Sequence, residues 1–123
     1  MPEFRYWNEN PQNERREDCV TRAICFATGF PYEKVRKKLF HTAKLLECSK
    51  LCPTCYSFAI QSVFGGTPVD CHGLSVGEFA DKHPIGTYLI RIYGHLTAIR
   101  DGAIYDTWDC RNRECDIAWK IYN

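Results

Sequence analysis

Residues 95–108 have the sequence HLTAIRDGAIYDTW, in which two alternating strand-like runs flank one turn-forming dipeptide. Asp101-Gly102 is a strong signal for a two-residue turn between antiparallel strands. Such a turn fixes the register of the strands on either side, and every second side chain then points to the same face. We therefore predict a hairpin of two strands, 95–100 and 103–108.

The same register places a histidine beside an aspartate. Thr97 is opposite Asp106 and His95 is opposite Trp108, which makes His95 and Asp106 diagonal neighbours on one face. The face is otherwise largely apolar, and a carboxylate there needs a partner. An acid that holds one imidazole nitrogen leaves the other free to serve a nucleophile. A register slip of one residue would instead leave an ordinary strand histidine and an unrelated surface aspartate.

A cysteine occupies the first turn of the first predicted helix. Asp18 is a good N-cap and Gly29 a good C-terminal stop, with helical spacing between them at Val20, Ala23, Ile24 and Ala27. The free N–H groups and the positive end of a helix dipole stabilise a thiolate, so this position favours a low pKa for Cys19. The alternative is that Cys19 is a small packing residue, which position alone does not exclude.

Helices occupy the first half of the predicted fold and strands the second. Further helices are expected over 32–46, from Pro53 to Gly65-Gly66, and over 75–82, where Ser75-Val76-Gly77-Glu78 has the form of a capping box. Strands are expected over 87–92 and 116–122, beside the hairpin. This order predicts one α+β domain over residues 1–123, with N-terminal helices packed on a C-terminal antiparallel sheet.

The amino-acid composition excludes several classes of function. The 123 residues include 45% hydrophobic, 14% aromatic and 25% charged residues, which is typical of a folded globular domain and not of a disordered chain. The net charge of +1 lacks the basic excess of a nucleic-acid binder. No apolar run is long enough to span a membrane, and the N-terminus does not resemble a signal peptide. A soluble cytoplasmic protein with no nucleic-acid or membrane partner is expected.

Three segments carry a family resemblance. Residues 13–24, NERREDCVTRAI, resemble the nucleophile segment of small papain-like cysteine peptidases, mostly from phages and gut bacteria and similar to bacteriocin-processing peptidases. The stretches GTYL and GHLTA at 86–89 and 94–98, with YDTWD at 105–109, resemble the histidine and aspartate strands of that group. The resemblance implies a papain-like fold, a phage-encoded protein, and a triad of Cys19, His95 and Asp106.

Papain-like enzymes place a glutamine about six residues before the nucleophile as an oxyanion donor. Asn13 is at that distance here and Gln12 is one residue further, so the resemblance implies Asn13, with Gln12 as the alternative. The alternative is that Asn13 only forms part of the turn before the helix. Arg22 is expected to form a salt bridge with Asp18 or another acid, and Asp109 is a second candidate partner for His95.

Eight cysteines are many for a chain of this size. Cys48, Cys52 and Cys55 have spacings that suit a metal knuckle, with Cys71 or His72 as a fourth ligand, but the usual pair-plus-pair spacing is absent. The expectation is therefore no cofactor, with structural zinc as a minor alternative. Cys25, Cys110 and Cys115 are expected to be packing residues, and His41, His72 and His83 surface or capping residues.

The leading hypothesis is a cysteine hydrolase that cleaves a peptide, isopeptide or related amide bond in a protein or peptide substrate. Cys19 is the nucleophile, His95 the acid and base, Asp106 its orienter and Asn13 the oxyanion donor. Acyl transfer to an amine uses the same residues. The alternatives are a non-catalytic phage binding module on the same fold and a small zinc-stabilised interaction domain.

Overall fold

The computed structural model of the chain has helices in its first half and most of a six-stranded sheet in its second. It describes residues 3–10, 18–49 and 52–122. The helices are α1 (Cys19–Thr28), α2 (Tyr32–Leu46), α3 (Pro53–Phe58), which continues as a π-helical turn over Ala59–Val63, and α4 (Val76–Lys82). The strands are β1 (Glu3–Tyr6), β2 (Thr67–Val69), β3 (Thr87–Ile92), β4 (His95–Arg100), β5 (Ala103–Asp106) and β6 (Ile117–Ile121). The predicted α+β class is confirmed.

The sheet is mixed, with the strand order β1-β5-β4-β3-β6-β2. Strands β3, β4 and β5 are antiparallel neighbours, and the pairing of Ile99 with Ile104 is the one that the Asp101-Gly102 turn predicts. The predicted antiparallel pairing of the C-terminal strands is confirmed, but the sheet as a whole is mixed, because β1 pairs with β5 in parallel, Phe4 beside Ile104. Only a short turn forces neighbouring strands to be antiparallel, and all the helices lie between β1 and β5 along the chain.

Local sequence signals account for where the elements begin and end. Gly29 ends α1 with a φ of 79°, a left-handed conformation that glycine adopts without a steric penalty. The predicted capping box before α4 is present, with reciprocal hydrogen bonds between Ser75 and Glu78. Asp101 and Gly102 both have positive φ, as a type I′ hairpin turn requires. These signals place α1 and the β4–β5 hairpin, which together carry the candidate site.

Hydrophobic clusters cover both faces of the sheet. One cluster joins α1, α2 and α3 to the sheet and has Ile24, Leu39, Leu89 and Trp119 at its centre. The other joins α4 to the opposite face, around Phe79, Ile90, Ile99 and Ile104. All eight side chains are fully buried. Within the described residues, no helix has both the length and the apolar character needed to cross a bilayer.

Candidate active site

Cys19 is the first residue of α1 and is half-buried against the larger cluster. Its thiol interacts with the ring of His95 and with the backbone of Leu96. Burial disfavours the thiolate, but these two interactions and the charges of His95 and Arg22 outweigh it and lower the pKa of Cys19. As the first residue of the helix, Cys19 also has a backbone N–H that is not used within the helix.

His95 connects Cys19 to Asp106. It is the first residue of β4, and its Nε2 lies 2.6 Å from Oδ2 of Asp106, the last residue of β5. The structure therefore brings the two side chains together as the hairpin register predicts. Burial disfavours the imidazolium, but the hydrogen bonds and charges of Asp106 and Cys19 raise the pKa of His95 to about 9. Both shifts act in the direction of a thiolate–imidazolium pair.

The aspartate is itself held in place. Asp106 is 6% exposed, and its Oδ1 accepts a 2.7 Å hydrogen bond from the backbone N–H of Thr107. The ring of Trp108 packs edge-on against His95, with centroids 5.0 Å apart, although β5 ends two residues before it. These contacts limit the orientations available to the imidazole. The Thr107 contact was missed because it arises where the chain leaves the strand, a point that the alternating pattern does not locate.

Asp18 does not cap α1 with its side chain, contrary to the sequence prediction. Its carboxylate instead forms a buried salt bridge with Arg22 and accepts hydrogen bonds from Tyr32 at 2.5 Å and from Asn10 at 3.1 Å. Arg22 also donates to Thr107 Oγ1 at 3.3 Å, which ties α1 to the segment after β5. The predicted Asp18–Arg22 pair is confirmed. Tyr32 and Asn10 were missed because they come from other elements, with no local pattern linking them to Asp18.

Two other predicted residues are not joined to the site by the structure. Asn13 and its alternative Gln12 lie outside the described residues, so the oxyanion donor stays a prediction. Asp109, the second candidate partner of His95, forms a salt bridge with Arg111 and is not bonded to His95. Asp106 is therefore the acid that contacts the imidazole.

A buried cysteine lies next to the His95–Asp106 pair. The ligand atoms of His95, Asp106 and Cys110 all lie within 4.8 Å of one another, which makes the three a possible metal-binding cluster. Cys110 is 1% exposed, and burial raises the pKa of its thiol to about 12. A metal ion here would have to displace that proton and the hydrogen bond between His95 and Asp106.

The remaining cysteines form separate groups. Cys25 is buried and its thiol donates to the backbone carbonyl of Phe30, as a packing residue does. Cys71 is buried with Cys115 in the smaller cluster, and among the described residues no group of three close ligand atoms includes it, so the described residues do not support the alternative in which Cys71 or His72 completes a zinc site with Cys48, Cys52 and Cys55. The chain reaches this cluster through β2 and the loop after it, and the spacing of the cysteines in the sequence does not predict that path.

Comparison of the chain with protein-family models, with curated proteins and with solved structures found no match. The resemblance to papain-like peptidases carried by segments 13–24, 86–98 and 105–109 therefore stays a prediction.

Proposed function

We propose that the protein is a cysteine hydrolase of papain-like fold that cleaves an amide bond in a peptide or protein. The observation that carries this proposal is the 2.6 Å contact between His95 and Asp106, together with the interaction of the same His95 ring with the Cys19 thiol at the start of α1. A thiol at a helix N-terminus, hydrogen-bonded to an imidazole that a buried carboxylate orients, is the arrangement that nucleophilic catalysis requires. The lowered pKa of Cys19 and the raised pKa of His95 support it further.

The reaction proceeds through a thioester. The Cys19 thiolate attacks the amide carbonyl carbon, and the protonated His95 gives its proton to the leaving amine as the carbon–nitrogen bond breaks. His95 then removes a proton from water, whose oxygen attacks the thioester and releases the acid with the thiolate restored. The net reaction is amide plus water to carboxylic acid plus amine. An amine in place of water would give acyl transfer on the same residues.

The negative charge on the carbonyl oxygen needs donors in the transition state. The backbone N–H of Cys19 is one, because the first N–H groups of a helix have no partner within it. Asn13 supplies the second in this proposal.

Acylation of Cys19 tests the first half of the mechanism. The protein is treated with p-nitrophenyl acetate, and peptide mass spectrometry locates the acetyl group while the released nitrophenolate is followed. Acetylation concentrated on Cys19 and lost in His95→Gln is the expected result. Acetyl groups on Cys48 or Cys52 with Cys19 unmodified would contradict it.

Cleavage of an internally quenched peptide pool, with Cys19→Ala as control, then tests hydrolysis of amides, and equal cleavage by Cys19→Ala would reject the proposal.

Metal binding is a second candidate function of the same residues. It is favoured by the 4.8 Å cluster of His95, Asp106 and Cys110. Dialysis of the Cys19→Ala protein against Co²⁺ and against a chelator distinguishes the two. If the cluster binds a metal, the protein should bind one Co²⁺ ion per chain, and Cys110→Ser should lose it. If the protein is a hydrolase, a chelator should not reduce the rate at which the unmodified protein cleaves amides.

A further inference from the structure

Two cavities lie along one side of α1, and the first contains the thiol of the proposed reaction. This narrow cavity has a volume of about 10 Å³ and lies between α1 and the β4–β5 hairpin, with Cys19 and Asp106 among its walls. A space of that size holds about one water molecule, so a side chain of a substrate does not fit in it. Recognition of a substrate side chain therefore needs a larger space.

The second cavity is large enough. Its volume is about 340 Å³, within the range of sites that bind small ligands. This large cavity shares three wall residues with the narrow one, namely Trp7, Glu9 and Phe26. The two cavities are therefore adjacent, and a substrate bound at Cys19 can extend from one to the other.

The helix sets the distance between the thiol and the large cavity. Cys19, Ala23 and Phe26 are at positions i, i+4 and i+7 of α1 and so lie on one face of the helix. With a rise of about 1.5 Å per residue, Phe26 is about 10 Å further along the helix axis than Cys19. An extended peptide covers that distance with about three residues, at roughly 3.3 Å each.

Aromatic rings form the accessible wall of the large cavity. Trp7 is 46% exposed and Phe30 is 36% exposed, and both line it. Phe26 also lines it but is buried, because its ring stacks on Tyr105 with centroids 4.4 Å apart and the Arg100 guanidinium lies 4.3 Å from its centroid. Among these three wall residues, Trp7 and Phe30 are the ones whose rings a ligand can contact.

The positive charges near the large cavity disfavour a basic ligand. Arg100 is one of its wall residues. Lys34 Nζ lies 4.6 Å from the centroid of the Phe30 ring, so this ring already has a cation over it. A lysine or arginine side chain of a substrate would therefore approach two like charges.

An acidic ligand is disfavoured by the polar contacts of the same walls. Glu9 lines the large cavity, and its Oε1 accepts a 2.8 Å hydrogen bond from Trp7 Nε1. A second carboxylate against the indole would therefore approach a like charge. Arg100 already donates to the Phe26 carbonyl at 3.0 Å and to Thr87 Oγ1 at 3.2 Å. An uncharged side chain meets neither kind of repulsion.

We propose that the large cavity binds an uncharged aromatic side chain of the substrate, about three residues from the bond that Cys19 cleaves. The inference rests on the proposed hydrolase and adds a substrate class to it. A ring that contacts Trp7 and Phe30 gains offset or edge-on aromatic contacts in addition to the burial of apolar surface. The hydrogen bond from Trp7 to Glu9 fixes the orientation of the indole that the ring meets.

Binding is measured first, on the Cys19→Ala protein, so that no peptide is cleaved. The probes are blocked tetrapeptides with three alanines and one variable residue, which is Phe, Leu, Lys or Glu. NMR follows the Trp7 indole N–H, assigned as the signal that Trp7→Phe lacks. The Phe peptide should shift this signal saturably and bind about 2–12-fold more tightly than the Leu peptide, which is the value of an aromatic pair. The Lys and Glu peptides should bind more weakly than either.

Variants of the two accessible rings locate the site. Trp7→Ala and Phe30→Ala should each weaken binding of the Phe peptide by a similar factor, and Trp7→Phe, which keeps a ring, should weaken it less. Phe58→Ala is the matched control, because Phe58 is 47% exposed but lies on α3, outside the described walls of both cavities. It should bind as its parent does. Circular dichroism of each variant checks that the fold is kept.

Cleavage by the protein with Cys19 intact then tests the spacing. In a peptide series with Phe moved one position at a time, kcat/KM should be highest when Phe is about three residues from the cleaved bond, and Trp7→Ala should abolish this preference. A preference at none of the positions would show that the substrate does not use the large cavity.

The binding results can overturn the aromatic site without any cleavage. No saturable binding, equal binding of the Phe and Leu peptides, tighter binding of the Lys or Glu peptide, or unchanged affinity in both Trp7→Ala and Phe30→Ala would each do so. Selective binding of the Phe peptide by a protein that cleaves no peptide would instead reject the hydrolase. The two failures are therefore distinguishable.

Discussion

His95 has two partners and two ring nitrogens, and the structure shows Nε2 in contact with Asp106. Nε2 contacts Asp106, so Nδ1 is the atom left for the Cys19 thiol. A proton on Nε2 that is held by Asp106 leaves Nδ1 free to exchange the second proton with Cys19 or with a leaving group. In the proposed hydrolysis the imidazole would therefore act as acid and base from one fixed orientation.

The pH dependence of Cys19 alkylation tests this coupling. The pKa of Cys19 is lowered below its ordinary value of 9.0 by the hydrogen bond and charge of His95, against the effect of burial. The rate at which Cys19 reacts with iodoacetamide should therefore rise with pH, with a midpoint below pH 9. In His95→Gln the midpoint should move to higher pH, because the interaction that counteracts the effect of burial on the thiol is then missing.

Peptide mass spectrometry across a pH series gives the rate at each thiol. Cys52 serves as an internal control, because its thiolate is stabilised by backbone N–H groups and not by His95. Its profile should be the same in both proteins. Superimposable Cys19 profiles in the two proteins would mean that His95 does not act on the thiol.

A second prediction concerns Asp106. Its hydrogen bond and charge help to raise the pKa of His95 to about 9 from an ordinary 6.5. In Asp106→Asn the negative charge is lost, although the amide oxygen can still accept a hydrogen bond, and the pKa of His95 should fall from about 9 toward 6.5, which NMR titration of the ring protons measures. Turnover should fall by orders of magnitude less than in Cys19→Ala, because Asp106 orients and does not react. Asp109→Asn is the control: its carboxylate contacts Arg111, so the His95 titration should not change.

The oxyanion donor is a third prediction at this scale. If the Asn13 amide binds the developing oxyanion, Asn13→Ala should lower kcat about 10²–10³-fold with little change in KM. Gln12→Ala should leave both parameters nearly unchanged. Melting curves of the two variants separate a catalytic defect from a disturbed approach to the helix. The reverse result would mean that the donor is one residue earlier than the resemblance implies.

At the scale of elements, short-range signals predicted more than long-range pairing did. The bounds of α2 and β4 match the prediction, because Pro31 and the Asp101-Gly102 turn are local signals. The strand β2 was missed: three residues, one of them a proline, give no periodic pattern. The parallel pairing of β1 was missed because nothing in the local sequence of either strand specifies a partner so distant along the chain.

The candidate site shows the same difference between short-range signals and long-range contacts. The contact between His95 and Asp106 followed from one turn, since alternation along two strands fixes which side chains are neighbours. The partners of Asp18 did not follow, because Tyr32 and Asn10 reach it from other elements. Tertiary contacts of this kind decide the role of a buried polar residue, and its capping propensity does not.

The buried salt bridge of α1 gives a prediction about stability. Arg22 and Asp18 have 9% and 8% exposed side chains, and removing one partner of a buried pair costs about 3–5 kcal/mol. Arg22→Met should lower the free energy of unfolding by about that amount in urea titrations. The matched control is Arg36→Met, which breaks the exposed pair with Glu33 and should cost less than about 1 kcal/mol. A loss of stability in Arg22→Met no larger than in Arg36→Met would mean that Tyr32 and Asn10 alone satisfy Asp18.

At the scale of the whole molecule, the sheet is the element that both clusters share. Leu89 packs on the helical side and Ile90 on the side of α4, although the two are neighbours in β3. Alternation along a strand thus sends consecutive residues into different clusters. The hairpin that carries His95 and Asp106 lies between them, so its geometry depends on both.

This sharing predicts that the chain unfolds as one cooperative domain. Ile24→Ala removes a fully buried side chain from the helical cluster and Phe79→Ala one from the α4 cluster, and each should cost about 2–5 kcal/mol. Because neither cluster keeps its sheet face if the other is lost, both variants should lower the temperature of one common transition. Calorimetry shows whether one transition is present, and near-ultraviolet circular dichroism and far-ultraviolet circular dichroism should report the same midpoint.

Leu45→Ala, at a side chain that is 69% exposed, is the control and should change stability by less than about 0.5 kcal/mol. Two separate transitions, with each variant shifting only one of them, would show that the clusters are independent folding units and that the prediction of a single domain is wrong.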